Sequence, residues 1–344
     1  MVSYTEIKKE LDFCNEPVFF FDDDPDGLSS YLQLYKHKKQ GKGIVVKSSP
    51  ALPEAYASGI GEDNDKIFIL DKPMVEKGFF EAAREKKLPV IWIDHHEPQP
   101  SHQNVKYFNP RIKGSNMPVS LVCYNSVKQS QWIAAIGVIG DWFIPPFLSE
   151  LAAQFPDLIY PNIKKPEEAL FKTPFGRLIK IFSFNLKGAK RDIDRSLAAL
   201  IAIESPYEVL SQSTPEGKLV YRRYWRINEE YEFHLRTATA SAKNSILFYI
   251  YDSSQSFTSD ISNELLFRFP EKVIIVGKEK RGYVRMSIRS SRFILPKILD
   301  KAIEGLDGYS GGHEHACGAN VKLEQVDLFL ENLKKELRKQ EKSR

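Results

Sequence analysis

The chain has 344 residues, 42% of them hydrophobic and 27% charged, with a net charge of +4. That length exceeds one ordinary core and predicts two domains, and the composition excludes a wholly disordered chain or a membrane protein. No apolar run is long enough to span a bilayer, and the N-terminal MVSYTEIKKELDFCNE is too charged for a signal peptide, so a cytoplasmic location without a membrane partner is expected. The three cysteines, Cys14, Cys123 and Cys317, are too far apart for a disulfide framework or a zinc knuckle. The small positive charge permits an anionic partner without requiring one.

In chain order, an amphipathic helix over residues 4–13 leads into the apolar run Val18-Phe19-Phe20-Phe21, which stops abruptly in acidic residues. A helix over 29–39 follows, then a β-branched strand over 43–47, a strand over 67–70, a helix over 75–86 and a strand over 90–93. This alternation predicts an α/β fold with a parallel, doubly wound sheet. Beyond Asp141 the strand signals vanish, and Pro145, Pro146, Pro156, Pro161 and Pro166 punctuate a largely helical stretch to about residue 205. The turn signal Thr214-Pro215-Glu216-Gly217 precedes a helix-favouring connector over 227–243. A second β-rich region has runs at 246–251, 273–276 and 283–288 and helices at 294–304 and 324–339. The expected division is 1–212, a helical connector 213–244, and a smaller α/β domain 245–344, ending in a charged, solvated helix end over 334–344.

Three predicted strands finish in chemistry-bearing residues: the first before Asp22, Asp23, Asp24 and Asp26, the second before Asp71, the third before Asp94, His95 and His96. In an open α/β sheet the carboxyl ends of the strands meet in one crevice, so these groups converge. Carboxylates so crowded stay ionised only with cations among them. Oxygen donors with one or two imidazoles and no thiolate suit Mn²⁺ or Mg²⁺. Each group alone has a plainer reading. Asp-Pro-Asp-Gly is a turn sequence, Asp71 a helix N-cap, and His95-His96 a surface pair. The coincidence of three such strand ends favours metal.

Asp22-x-Asp24-x-Asp26-Gly27, Asp71, Asp94-His95-His96 and Gly140-Asp141 resemble, in order, the four motifs of the DHH phosphoesterases. Downstream, Arg285-Met286-Ser287-Ile288-Arg289-Ser290 and Gly311-Gly312-His313 resemble the arginine strand and glycine-histidine motif of the associated DHHA1 substrate-binding domain. The resemblance implies a DHH catalytic domain at 1–212 and a DHHA1 domain at 245–344. It implies two Mn²⁺ ions, with Mg²⁺ as the alternative: one on Asp22, Asp24 and Asp71, the other on Asp26, Asp71, His95 and Asp141, with Asp71 bridging. Two ions activate water and stabilise charge developing on phosphorus, so no Ser or Cys nucleophile is needed. Asp94 and His96 are expected to support the reaction, orienting His95 and hydrogen-bonding a substrate oxygen. Gly311 and Gly312 would let the backbone approach a phosphate that Arg289, Ser290 and His313 also contact, across a cleft from the metals. Without the resemblance, Gly311-Gly312-His313 reads as a glycine turn and a surface histidine.

Departures from the family pattern bear on substrate. Asp22 stands where many small-substrate members carry His, a choice that resembles RecJ-type nucleases; Lys72-Pro73 stands where glycine often follows the second motif; Glu314-His315 and Cys317 replace small residues. His315 is either an added phosphate contact or a surface residue. Tyr221-Arg222-Arg223-Tyr224-Trp225-Arg226 interleaves aromatic and basic residues, as single-stranded nucleic-acid binders do. It also reads as a strand with Tyr221, Arg223 and Trp225 on one face. The expectation is an exonuclease on single-stranded DNA or RNA, or on short oligonucleotides, favouring 3′→5′ polarity and releasing nucleoside monophosphates. The compact layout resembles archaeal RecJ-like and nanoRNase members. A hydrolase of cyclic dinucleotides, phosphoadenosine phosphate or polyphosphate is the enzymatic rival. The other rival is a RecJ-like scaffold of a replication complex, and a DNA replication or repair partner fits either nucleic-acid reading.

Overall fold

The computed structural model describes residues 3–48, 50–100 and 102–342. Contacts divide the chain into two units, Met1–Tyr224 and Trp225–Arg344. The last two residues of the charged tail lie outside the described residues.

The first unit begins α1 (Tyr4–Asp12), β1 (Pro17–Asp22), α2 (Pro25–Lys38), β2 (Lys42–Val46), β3 (Ala51–Leu52), β4 (Lys66–Leu70) and β5 (Met74–Val75). It continues with α3 (Lys77–Glu85), β6 (Val90–Ile93), β7 (Val105–Phe108), α4 (Val119–Val127) and α5 (Gln131–Gly140). Helices α6 (Leu148–Gln154), α7 (Pro166–Lys172), α8 (Pro174–Asn185), α9 (Lys190–Ala202) and α10 (Pro206–Leu210) complete the proline-punctuated stretch. The main sheet runs β2-β1-β4-β6-β7, every pair parallel. Strands β4 and β6 are buried along their whole length, as expected where both faces of a parallel sheet are covered. Val18, Phe20, Ile67, Ile69 and Trp92 pack on one face with Phe79 of α3. On the other side Phe21 stacks on Tyr31 of α2, ring centroids 4.7 Å apart. Pairing of Phe21 with Leu70 and of Leu70 with Ile93 brings the residues that follow, Asp22, Asp71 and Asp94, to one end of the sheet.

Helix α11 (Pro215–Ala240) contains the boundary between the units. It takes in Tyr221–Arg226, so the strand reading of that stretch is wrong. The buried positions Val220, Tyr224, Asn228, Tyr231, Leu235 and Ala238 recur at helical spacing, a periodicity that short-range alternation conceals.

The second unit has β8 (Ile246–Tyr251), α12 (Thr258–Arg268), β9 (Val273–Lys280), β10 (Tyr283–Arg289), α13 (Pro296–Ile303), β11 (Gly308–His313), β12 (Ala316–Lys322) and α14 (Val326–Lys342). Its sheet runs β11-β12-β10-β9-β8, with β8 parallel to β9 and the other pairs antiparallel. Ile275, Met286 and Ile288 of the sheet form one core with Leu299 of α13 and Phe329 and Leu333 of α14. No helix among the described residues is long and apolar enough to cross a membrane.

Candidate metal centre

Each acidic side chain is positioned by the end of an element. Asp24 is the N-cap of α2, its carboxylate accepting from the Gly27 amide at 2.9 Å, with Pro25 starting the helix. Gly27 is required because a Cβ there would stand 2.6 Å from the carbonyl oxygen of Asp22. The turn reading of Asp-Pro-Asp-Gly is thus correct as local structure, and it presents carboxylates rather than replacing them. Asp26 is buried, its two oxygens accepting from the amides of Val119 (2.8 Å) and Ser120 (2.9 Å) at the N-terminus of α4. Asp71 follows β4 with a left-handed backbone, φ 58°, a conformation that aspartate tolerates better than most residues. Its amide donates to Ile93 O at 2.9 Å. Asp71 is not a helix cap, since Glu76 occupies that position of α3. Asp141 ends α5.

Three sets of donor atoms, each lying within 4.8 Å of one another, result: Asp22, Asp24 and Asp71; Asp26, His95 and Asp141; and Asp71, His95 and His96. Nε2 of His95 is 3.4 Å from Asp71 Oδ1, and Nδ1 of the same ring is 3.6 Å from Asp141 Oδ2. Oδ1 of Asp71 is buried without a hydrogen-bond partner. Burial and the neighbouring Asp24, Asp26, Asp22 and Asp141 push the Asp71 carboxyl well above the carboxylate range. Burial with Asp22 and Asp26 pushes Asp24 up to about 7, and burial with Asp26 and Asp24 pushes Asp141 up to about 9. Burial lowers the proton affinity of His95, which favours a ring able to donate a lone pair. An orphaned oxygen among mutually repelling carboxylates and a proton-poor imidazole fits divalent cations bound through oxygen and nitrogen.

Asp94 does not orient His95. Its Oδ1 lies 2.8 Å from Nδ1 of His96, and its Oδ2 accepts from the His96 amide at 3.1 Å. Successive residues leave the strand end in different directions, so the carboxylate meets the histidine two positions on. Burial opposes the charged form of His96, but the Asp94 hydrogen bond and charge outweigh it and raise its pKa. Asn109 Nδ2 also donates to Asp94 Oδ2 (3.3 Å) and to the His96 carbonyl (2.9 Å), and the Tyr107 hydroxyl reaches Asp94 Oδ2 at 3.4 Å. Tyr107 and Asn109 escaped sequence reasoning. The usable signal was a fourth strand end, Val105-Lys106-Tyr107-Phe108, stopping at a polar residue. Lys72, a departure from the family pattern in sequence, has a fully buried ammonium that donates to Asp22 Oδ1 at 2.9 Å.

In the second unit, Arg289 ends β10, its Nε donating to Asn263 Oδ1 at 2.7 Å and its Nη1 to the carbonyls of Ile288 (3.0 Å) and Cys317 (3.1 Å). Burial lowers its pKa to about 10. Ser290 is buried, its Oγ accepting from the amides of Arg292 and Phe293, both at 3.2 Å. Gly311, Gly312 and His313 are exposed on β11, at the edge of the sheet, rather than in a turn. Gly312 has φ +143°, and a Cβ there would lie 2.5 Å from Ala316 O, whereas a Cβ on Gly311 would meet nothing within 4 Å. A ring nitrogen of His315 lies 3.1 Å from Phe293 O.

A centre of carboxylates and histidines at the carboxyl ends of a doubly wound sheet defines a class of metal-dependent hydrolases, and two family models agree with it. The DHH family, N-terminal domain, matches residues 18–140, and the DHHA1 domain matches residues 244–339. The chain carries a DHH-family N-terminal domain followed by a DHHA1 domain and belongs to the DHH/DHHA1 phosphoesterases. Members of the DHH family are metal-dependent phosphoesterases. Among solved structures, RecJ of Thermus thermophilus in complex with Mn²⁺ matches with a TM-score of 0.68 and 14% identity over 98% of this chain. This chain spans only 55% of that RecJ. Exonuclease RecJ bound to manganese gives 0.63 at 14% identity, covering 97% of this chain and 94% of that one. The DHH domain of a member of the s1p family of ribosomal proteins gives 0.65 at 14% identity, covering 97% and 89%. No curated protein matches the sequence. At such identities the structural likenesses speak for the fold.

Proposed function

We propose that the protein is a two-metal phosphodiesterase, working as an exonuclease on single-stranded DNA or RNA or on short oligonucleotides, 3′→5′, and releasing nucleoside monophosphates. In this reading Asp22, Asp24 and Asp71 hold one ion and Asp26, Asp71, His95 and Asp141 the other, with Mn²⁺ preferred to Mg²⁺. The observation that carries it is the orphaned Asp71 oxygen, whose carboxylate belongs to two of the three donor sets. Two bound divalent ions would supply Lewis acidity toward the phosphoryl group and activate water for attack. Asp94 fixes the His96 ring through Nδ1, leaving Nε2 to donate a hydrogen bond to a phosphate oxygen. Arg289, Ser290, Gly311, Gly312 and His313 are read as the substrate-binding residues of the second unit. Arg289 supports this role because its hydrogen-bond partners are neutral oxygens, so its charge remains available to an anion.

The test is Mn²⁺-dependent digestion of 5′-labelled and 3′-labelled DNA and RNA oligomers of graded length. The expected result is a shrinking ladder from the 5′ label and immediate release of labelled mononucleotide from the 3′ label. Mononucleotide released first from the 5′ label reverses the polarity. Turnover confined to cyclic dinucleotides, phosphoadenosine phosphate or polyphosphate, or no turnover at all, overturns the exonuclease.

A further inference from the structure

Lys72 is the most unusual side chain of the centre. Lysine is rarely fully buried, and when it is, partners hold its charge. Here Nζ donates to Asp22 Oδ1 at 2.9 Å and to Ser48 O at 2.7 Å, and the side chain has no exposure. Trp92, buried in the sheet core, fixes the backbone at this point by donating from Nε1 to the Lys72 carbonyl at 3.0 Å. The ammonium is therefore built into the wall of the carboxylate cluster, and it touches only one of the donor sets, through Asp22.

We propose that Lys72 is a built-in counter-cation of the centre that makes the two ion positions unequal and renders the loaded centre neutral toward an anionic diester. This inference rests on the two-ion reading above. Asp22, Asp24, Asp26, Asp71 and Asp141 carry five negative charges when ionised, and two divalent ions supply only four positive ones. Lys72 supplies the remaining charge, while Asp94 stands outside the three donor sets and is hydrogen-bonded to His96. A phosphodiester then approaches a neutral centre instead of a negative one. The same ammonium repels a cation at Asp22, Asp24 and Asp71 more than one at Asp26, His95 and Asp141, because its partner residue Asp22 belongs to the first set and not to the second. The first position is thus the weaker. Lys72 acts through Asp22 and the field it creates, as a positioning residue.

Calorimetric titration of the chelator-stripped full chain with Mn²⁺ reads this directly. The wild type is expected to bind two ions in unequal steps. Lys72→Met should tighten the weaker step by about tenfold or more while raising KM for an oligonucleotide at saturating Mn²⁺ by about tenfold, opposite movements that follow from removing one charge. Loss of mere scaffolding would weaken both. Lys72→Gln, which keeps a hydrogen-bond donor without the charge, should move both quantities in the same directions if the Met variant does not fold. Equal steps in the wild type, or unchanged or weaker Mn²⁺ binding in the folded variants, overturn the assignment. Unequal steps that tighten on substitution, in a protein that cleaves no diester, would sink the exonuclease and leave Lys72 in its role.

Discussion

In the first unit, aspartates from β1, α2, β4 and α5 crowd one another until burial and repulsion raise their proton affinity. In the second, Arg289 is sunk against neutral oxygens of Asn263, Ile288 and Cys317, with an exposed glycine-rich edge strand in the same sheet. The first arrangement is electrostatically incomplete without added cations; the second is satisfied by its own hydrogen bonds. One centre therefore trades stability against occupancy, whereas the other is set by packing and backbone geometry.

The sharpest way to break that contrast is Asp71→Asn. Mn²⁺-dependent turnover should fall by about a hundredfold or more, the order seen when transition-state charge stabilisation is lost. In chelator the same variant should melt higher than wild type, since the substitution removes a buried like charge and asparagine accepts the left-handed backbone. Undiminished hydrolysis would remove Asp71 from the centre.

A smaller effect concerns pH. With Asp24 raised to about 7 and Asp141 to about 9, the folded metal-free protein keeps protons that the unfolded chain has released. Its stability should therefore be greatest near the ordinary carboxylate range and fall as pH rises from about 4 to about 9. Saturating Mn²⁺ should flatten the upper part of that decline. A melting temperature in chelator that holds steady or climbs across the window would contradict the picture of an incomplete centre.

In the second unit the expectation is steric. Gly312→Ala, with its Cβ 2.5 Å from Ala316 O and φ at +143°, should cost about 1–3 kcal/mol in denaturant unfolding. Gly311→Ala, facing open space, should stay within about 0.5 kcal/mol. Equal costs would mean that backbone geometry at β11 is not the constraint.

Strands β1, β4 and β6 were legible because their apolar runs are uninterrupted and end in acids, so convergence of Asp22, Asp71 and Asp94 followed from topology alone. Strand β11 was not, since Gly-Tyr-Ser-Gly-Gly-His has no apolar alternation and is held by backbone pairing with β12. The short pair β3 and β5 carries two residues in each strand, too few for a period. Lys72 read as a departure because lysine ordinarily marks a surface; only the fold supplies its partner Asp22, fifty residues away. Sequence adjacency pairs Asp94 with His95, but it does not say which way a side chain leaves a strand end, and the carboxylate meets His96 instead.

The hydrogen bonds from Val119 and Ser120 to Asp26 span more than ninety residues, and Asp141 lies farther still along the chain. During synthesis, a nascent chain that has passed β6 therefore lacks both the α4 amides and the last aspartate. The set of Asp26, His95 and Asp141 is therefore complete only after α5 has been made, and an ion held there would secure the finished arrangement instead of guiding the early steps toward it.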